Sequence, residues 1–161
     1  MNKAVFLDRD GVLNRELGDY VCRPEDFEVL PGAAAALKIL REKGYLLIVI
    51  TNQGGIAKGW YSHETLHRMH EKLRAELAGE GVELTEIYYS PQHPAFTGNS
   101  LCRKPGSMML EKALARFNID PTRSYLVGDR ERDIEAARLA GIRGILIESD
   151  QPLLTIVSRI D

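Results

Sequence analysis

Five short strand-like runs, at residues 4–7, 45–50, 86–89, 124–127 and 144–147, alternate with segments of helical periodicity, and this alternation narrows the possible folds more than any other feature. Strand and helix in strict succession argue for a parallel sheet with helices on both faces. The expected fold class is therefore α/β, a three-layer Rossmann-like sheet. The helices announce themselves by their ends and their apolar faces. Pro31 and Gly44 bracket residues 32–43, where Ala33, Ala36, Leu37 and Leu40 share one side. Ser62 is an N-cap for a helix over 63–77, with Leu66, Met69, Leu73 and Leu77 at helical spacing. Further helices are expected over 107–117 and over 130–140, the latter stopping at Gly141, and the tail 151–161 is expected to form a short helix over an edge.

With 161 residues, 44% hydrophobic, and no internal repeat, linker or low-complexity stretch, the chain reads as a single domain, 1–161, with material for a real core. A formal net charge of -2 provides no electrostatic attraction to nucleic acid or to an anionic membrane. No apolar run approaches the ~20 residues of a membrane span, and Met1-Asn2-Lys3 leads straight into a strand rather than a signal peptide. A cytoplasmic location and a monomer are the default expectations. Cys22 and Cys102 are then expected as free thiols.

Polar clusters fall where the strands end. The first run stops at Asp8-Arg9-Asp10-Gly11, the second at Thr51-Asn52-Gln53-Gly54-Gly55, and the fourth at Gly128-Asp129, four residues before Asp133; Arg103-Lys104-Pro105 precedes a helix. Ligands of open α/β sheets bind beyond the carboxyl ends of the strands. A regular strand would point Asp8 and Asp10 to the same face. Two carboxylates about 4 Å apart repel by about 4 kcal/mol at an effective dielectric near 20, so bringing them together requires a cation or a proton. Each cluster alone has an ordinary explanation: a solvated strand end, turn chemistry, a surface lysine, macrodipole partners at a helix start. Residues 11–30 form a long polar connection leaving from the acidic strand end, which reads as a flap over it.

In this order the clusters resemble the haloacid dehalogenase superfamily, whose four motifs match Asp8-x-Asp10-Gly11-Val12, Thr51, Lys104 and Gly128-Asp129-x-x-x-Asp133. Further matches include Tyr20-Val21, Asp26-Phe27-Glu28, Thr51-Asn52-Gln53-x-Gly55-Ile56-Ala57-Lys58-Gly59, Ile87-Tyr88-Tyr89-x-Pro91-x-His93-Pro94 and Cys102-Arg103-Lys104-Pro105. These look like the heptose-1,7-bisphosphate phosphatases and the related histidinol-phosphate phosphatases, over almost the whole chain. The resemblance implies a Mg²⁺-dependent phosphatase acting on a small phosphorylated sugar. Asp8 would be the nucleophile and Asp10 the general acid and base. Asp8, Asp129 and the backbone carbonyl of Asp10 would hold the metal, with Asp133 orienting its shell. Thr51, Asn52, Gln53, Gly54 and Lys104 would take the scissile phosphate. Glu16, Leu17, Gly18, Asp19, Arg103 and Arg130 would border the rest of the substrate, Arg103 reading its far end. No insertion is large enough for a separate cap domain, so the roof is expected to be loops.

That reading favours a heptose 1,7-bisphosphate cleaved at C7, with histidinol phosphate as the alternative. A receiver-like signalling domain also uses an Asp, a Thr and a Lys on a parallel sheet, but it has no use for Asp10 as acid and base. Dehalogenation, known in the superfamily, needs neither Mg²⁺ nor Asp10. The chain departs from its relatives at a loop that often carries zinc on a Cys-x-His and a Cys-x-Cys pair. Here the positions are Ser90, Gln92, Ser100 and Cys102, so no structural zinc is expected. His63-Glu64-Thr65-Leu66-His67 matches the H-E-x-x-H pattern of zinc proteases, with His70 a turn further along. At the start of an amphipathic surface helix it reads as a solvated face.

Overall fold

Ala4, Val5, Phe6 and Leu7 are all fully buried because the strand that carries them is the middle of the sheet and is covered on both sides. The computed structural model describes residues 1–161. Its five strands, β1 (Lys3–Leu7), β2 (Tyr45–Asn52), β3 (Glu86–Ser90), β4 (Tyr125–Gly128) and β5 (Arg143–Leu146), are all parallel, in the order β3-β2-β1-β4-β5. Val5, Leu7, Leu47, Val49 and Val127 point to one face, where they join α1 (Ala33–Glu42), α2 (His63–Gly79) and the chain's tail in a core of 28 residues. Ala4, Phe6, Ile48, Ile50 and Leu126 point to the other. There α4 (Met108–Arg116) and α5 (Glu131–Leu139) close a smaller core of 12. The helix ends lie within about two residues of those expected, the usual uncertainty of a boundary.

Three elements differ from expectation. β2 runs on to Asn52, because Thr51 and Asn52 pair with Tyr89 and Ser90 of β3, so these two polar residues belong to the strand and not to the turn after it. The tail forms two 3₁₀ turns, Leu153–Thr155 and Val157–Arg159, instead of an α-helix. It packs on α1 through Leu153, Ile156 and Ile160, and Lys43 Nζ donates to the carbonyls of Val157 and Ile160. The stretch after β3 contains a one-turn helix, α3 (Pro94–Thr97), capped by the His93 side chain.

The connection after β1 is folded tightly onto the sheet. Val12, Leu13, Val21 and Phe27 are buried in the larger core, and Leu30 is buried as well. Asn14 bridges to both Asp10 and Val29, Arg15 pairs with Glu28 at 2.8 Å, and Lys72 of α2 donates to the carbonyls of Pro24 and Phe27. Its polar residues therefore roof the carboxyl end of the sheet as a packed loop. No helix is long and apolar enough to cross a membrane. Cys22 and Cys102 are both free.

Candidate active site

β1 ends at Leu7, and the chain then curls so that the Arg9 carbonyl accepts from the amides of Val12, Leu13 and Asn14. Asp8 and Asp10 consequently do not share a strand face, and each has its own surroundings. Gly11, at φ +80°, makes this turn possible, and it could not be replaced even by alanine: a Cβ there would lie 2.2 Å from Asp129 Oδ2. The missing side chain is what lets the ends of β1 and β4 approach.

Asp8 is buried. Lys104 Nζ donates to Asp8 Oδ1 at 2.9 Å and to the Ile50 carbonyl at 2.7 Å, and it also pairs with Asp133 Oδ1 at 2.6 Å. Burial raises the proton affinity of Asp8. Lys104 opposes that, and the neighbouring Asp133 and Asp10 reinforce it. Lys104 is itself fixed by Asn52, whose amide donates to the Lys104 carbonyl at 3.0 Å and accepts from the Lys104 amide at 2.9 Å. Asp133 is fully buried beneath Lys104, and its second oxygen caps α5 by accepting from the Arg130 amide at 3.1 Å. Gly128 makes room for it, since a Cβ there would fall 2.4 Å from the Asp133 side chain. One oxygen each of Asp8, Asp129 and Asp133 lie within 4.8 Å of one another, a grouping able to hold a cation. Ser149 donates to Asp129 Oδ2 at 2.5 Å from the loop after β5.

Asp10 accepts from Arg9 and Asn14 on Oδ1, both at 2.8 Å, and from Gln53 on Oδ2 at 3.0 Å. Burial alone would raise its proton affinity, but Arg9 and these hydrogen bonds outweigh it and the carboxyl is held below the usual range. Arg9 is completely buried, with its guanidinium 5.2 Å from the centre of the Phe27 ring and 3.2 Å from His70 Nε2. Burial and Arg9 together hold His70 neutral, its pKa lowered to about 3. His63, Glu64 and His67 of the H-E-x-x-H segment are exposed, whereas His70, a turn further along, is buried under the site; His63, His67 and His70 all gather around the Tyr89 ring at 5.7–6.2 Å.

Above the carboxylates opens a pocket of ≈ 220 Å³. Asp8, Asp10 and Asp129 lie at its floor; Glu16, Gly18 and Asp19 come from the loop after β1, Asn52 from β2, Arg103 from the segment before α4 and Arg130 from the start of α5. Thr51, Gln53, Lys104 and Asp133 lie beneath this surface, buried. Gln53 does not face the pocket; its side chain joins Asp10 to Thr51 Oγ1 at 2.9 Å and accepts from Tyr61 at 2.5 Å. Leu17 is 48% exposed and does not line the cavity. Gly54 leaves space for Arg103 and Tyr20, each of which would come within about 3 Å of a Cβ at that position.

Three site residues escaped the sequence reading. Tyr20 and Arg132 line the pocket, and Arg9 supports Asp10 from below. Tyr20 sat in a matched motif with no role attached, and Arg132 within the Asp129-to-Asp133 motif, but their direction depends on the loop's path and on the first turn of α5. At the positions where the resemblance would place zinc ligands, Ser100 donates to Gln92 at 3.4 Å and the Cys102 amide to Ser100 at 3.1 Å, while the buried Ser90 hydroxyl has no partner; Arg103 donates to the Gln92 carbonyl at 3.0 Å.

The HAD-hydrolase-like family model matches residues 101–152. Over 146 residues, 88% of this chain and 80% of the relative, the sequence is 44% identical to a D-glycero-beta-D-manno-heptose-1,7-bisphosphate 7-phosphatase of Haemophilus ducreyi. A D-glycero-alpha-D-manno-heptose-1,7-bisphosphate 7-phosphatase of Photorhabdus laumondii is 39% identical over 93% of this chain and 85% of its own. The crystal structure of D,D-heptose 1,7-bisphosphate phosphatase from B. bronchiseptica, complexed with magnesium and phosphate, superposes with a TM-score of 0.86 at 32% identity, covering 95% of this chain and 86% of that one. With its parallel sheet, its carboxylates at the end of β1 and Lys104 set between Asp8 and Asp133, the chain belongs to the haloacid dehalogenase superfamily of hydrolases, in the family of the heptose-1,7-bisphosphate 7-phosphatases.

Proposed function

We propose that the protein is a Mg²⁺-dependent phosphatase that removes the C7 phosphate of D-glycero-D-manno-heptose 1,7-bisphosphate through an aspartyl-phosphate intermediate. The observation that carries this reading is Asp8 at the floor of the pocket, with Lys104 2.9 Å behind it and Asp129 within reach of the same point.

The donor set suits a hard divalent cation. It offers carboxylate oxygens and no thiolate or imidazole, and Gly11 lets the Asp129 carboxylate approach the turn that carries Asp10. Asp8, Asp129 and the Asp10 carbonyl would hold Mg²⁺, which supplies positive charge against the phosphate when bound. Asp8 Oδ attacks phosphorus and the sugar oxygen leaves, giving the aspartyl phosphate. Asp10 delivers a proton to that oxygen and then takes one from the water that releases phosphate. In the free protein Asp10 is anionic. A phosphate brought beside it raises its proton affinity, since like charges favour the protonated form. Asn52 and the backbone at the end of β2 hold phosphate oxygens, and Lys104 balances negative charge from below. Arg103, braced by the Gln92 carbonyl, faces the far end of the substrate, where a guanidinium suits a second phosphate. Histidinol phosphate carries an imidazole at its far end and no second anion for Arg103, Arg130 and Arg132 to hold.

Steady-state kinetics with Mg²⁺ on heptose 1,7-bisphosphate and histidinol phosphate test the assignment. The bisphosphate is expected to have the larger kcat/KM, and activity is expected to vanish with EDTA and return with Mg²⁺. A larger kcat/KM for histidinol phosphate, or full activity in EDTA, overturns it.

A further inference from the structure

The walls of the pocket carry three arginines in different electrostatic situations. Arg130 lies 3.7 Å from Glu16 and 3.9 Å from Asp129, beside two carboxylates. Arg103 is half-buried and held only by neutral acceptors: the Gln92 carbonyl at 3.0 Å and the Tyr20 hydroxyl. Arg132, on the second residue of α5, lines the same pocket and enters no ion pair. Burial makes the Arg103 guanidinium a stronger acid, and the like charge of Arg132 adds to that effect. Two guanidinium groups that face one cavity and repel one another are each stabilised by an anion between them. A phosphate dianion, which can accept from two forks at once, matches such a pair better than a single carboxylate does.

We propose that Arg132 is a specificity-determining residue that, with Arg103, clamps the phosphate remote from Asp8. The inference rests on the bisphosphate reading above and adds to it a second cation. Arg103 reaches the pocket from the segment after α3 and Arg132 from the first turn of α5, two separate elements. The clamp therefore fixes where the second phosphate lies as well as its charge, and so which phosphate is presented to Asp8. Arg130, beside Glu16 and Asp129, stands at the rim near them. A monophosphate of the same sugar fills the floor of the site and leaves the clamp empty.

The test is the ratio of kcat/KM for heptose 1,7-bisphosphate to that for heptose 7-phosphate, with Mg²⁺. It is measured in the wild type, Arg132→Ala, Arg132→Lys, Arg132→Glu and the control Glu131→Gln, which raises the net charge by one from an exposed neighbour that does not line the pocket. The ratio is expected to exceed one in the wild type and to fall roughly tenfold in Arg132→Ala, the effect of losing one partly screened charge-assisted contact. It should fall further in Arg132→Glu and be largely restored in Arg132→Lys, while Glu131→Gln keeps the wild-type value. A wild-type ratio of one or less removes the bisphosphate reading and the clamp with it. A high wild-type ratio that survives Arg132→Ala and Arg132→Glu removes the clamp alone. Equal and opposite shifts from Glu131→Gln and Arg132→Ala would show a diffuse field instead of a contact, and also overturn it.

Discussion

Each of the two carboxylates at the end of β1 has one buried cation, but Lys104 is divided between Asp8 and Asp133, whereas the Arg9 guanidinium serves Asp10 with help from Asn14 and Gln53. Two residues of sequence therefore separate a carboxyl pushed toward holding its proton from one pushed toward losing it. Asp8 is left short of positive charge at the point where a metal and a phosphorus atom are expected, and Asp10 is held ionised and oriented. In the proposed mechanism the division of labour between nucleophile and acid-base group follows from how the cations beneath them are shared.

Breaking the Asp8 side should have the largest effect. Asp8→Asn is expected to lower turnover by roughly 10⁴-fold or more, measured as phosphate release from a sample checked for deamidation; a variant keeping a tenth of the wild-type rate would remove Asp8 as nucleophile. Asp10→Asn should keep Mg²⁺ affinity, read by calorimetry, while slowing sugar-phosphate hydrolysis by roughly 10²-fold. Burst release of nitrophenolate from p-nitrophenyl phosphate should suffer much less, because that group leaves without a proton. Equal losses on both substrates would argue against acid catalysis by Asp10.

Arg9→Met tests the support under Asp10. It strands a partly buried carboxylate and is expected to cost about 3 kcal/mol of unfolding free energy in a urea titration at pH 7; no loss would mean the ion pair is inert. The smallest effect concerns His70. Its folded pKa near 3 lies below the ordinary 6.5, so as pH falls through 6.5 the unfolded chain takes up a proton that the folded one refuses. The stability present above pH 6.5 should drop by about 2 kcal/mol on going to pH 5 from this residue alone. His70→Gln should flatten that part of the curve, and an identical pH dependence in the variant would show that His70 is not the group concerned.

What the sequence made legible follows from what was being read. β1, β2 and β4 are buried on both faces, so they appear as unbroken apolar runs, and their polar ends mark the site. The last two residues of β2 were hidden, because Thr51 and Asn52 remain in the ladder while serving the site. Arg9 was invisible for a different reason: an arginine beside two aspartates reads as surface, and only the packing of Phe27 and His70 around it shows it to be interior. Asp133 was expected to orient the metal shell; it lies within the same acidic grouping, and its closest partners are Lys104 and the start of α5. Tyr20 and Arg132 depend on loop path and helix rotation, which no local pattern encodes.

The paired hydrogen bonds between the Asn52 amide and the Lys104 backbone act as a single rung of ladder between a strand and a segment that is not one. The lysine is thereby moored to the sheet on its own, independently of the chain that leads to it. A change in the internal fastening of residues 91–101, the serine–glutamine contact included, is therefore expected to leave the Lys104 ammonium in place beneath Asp8.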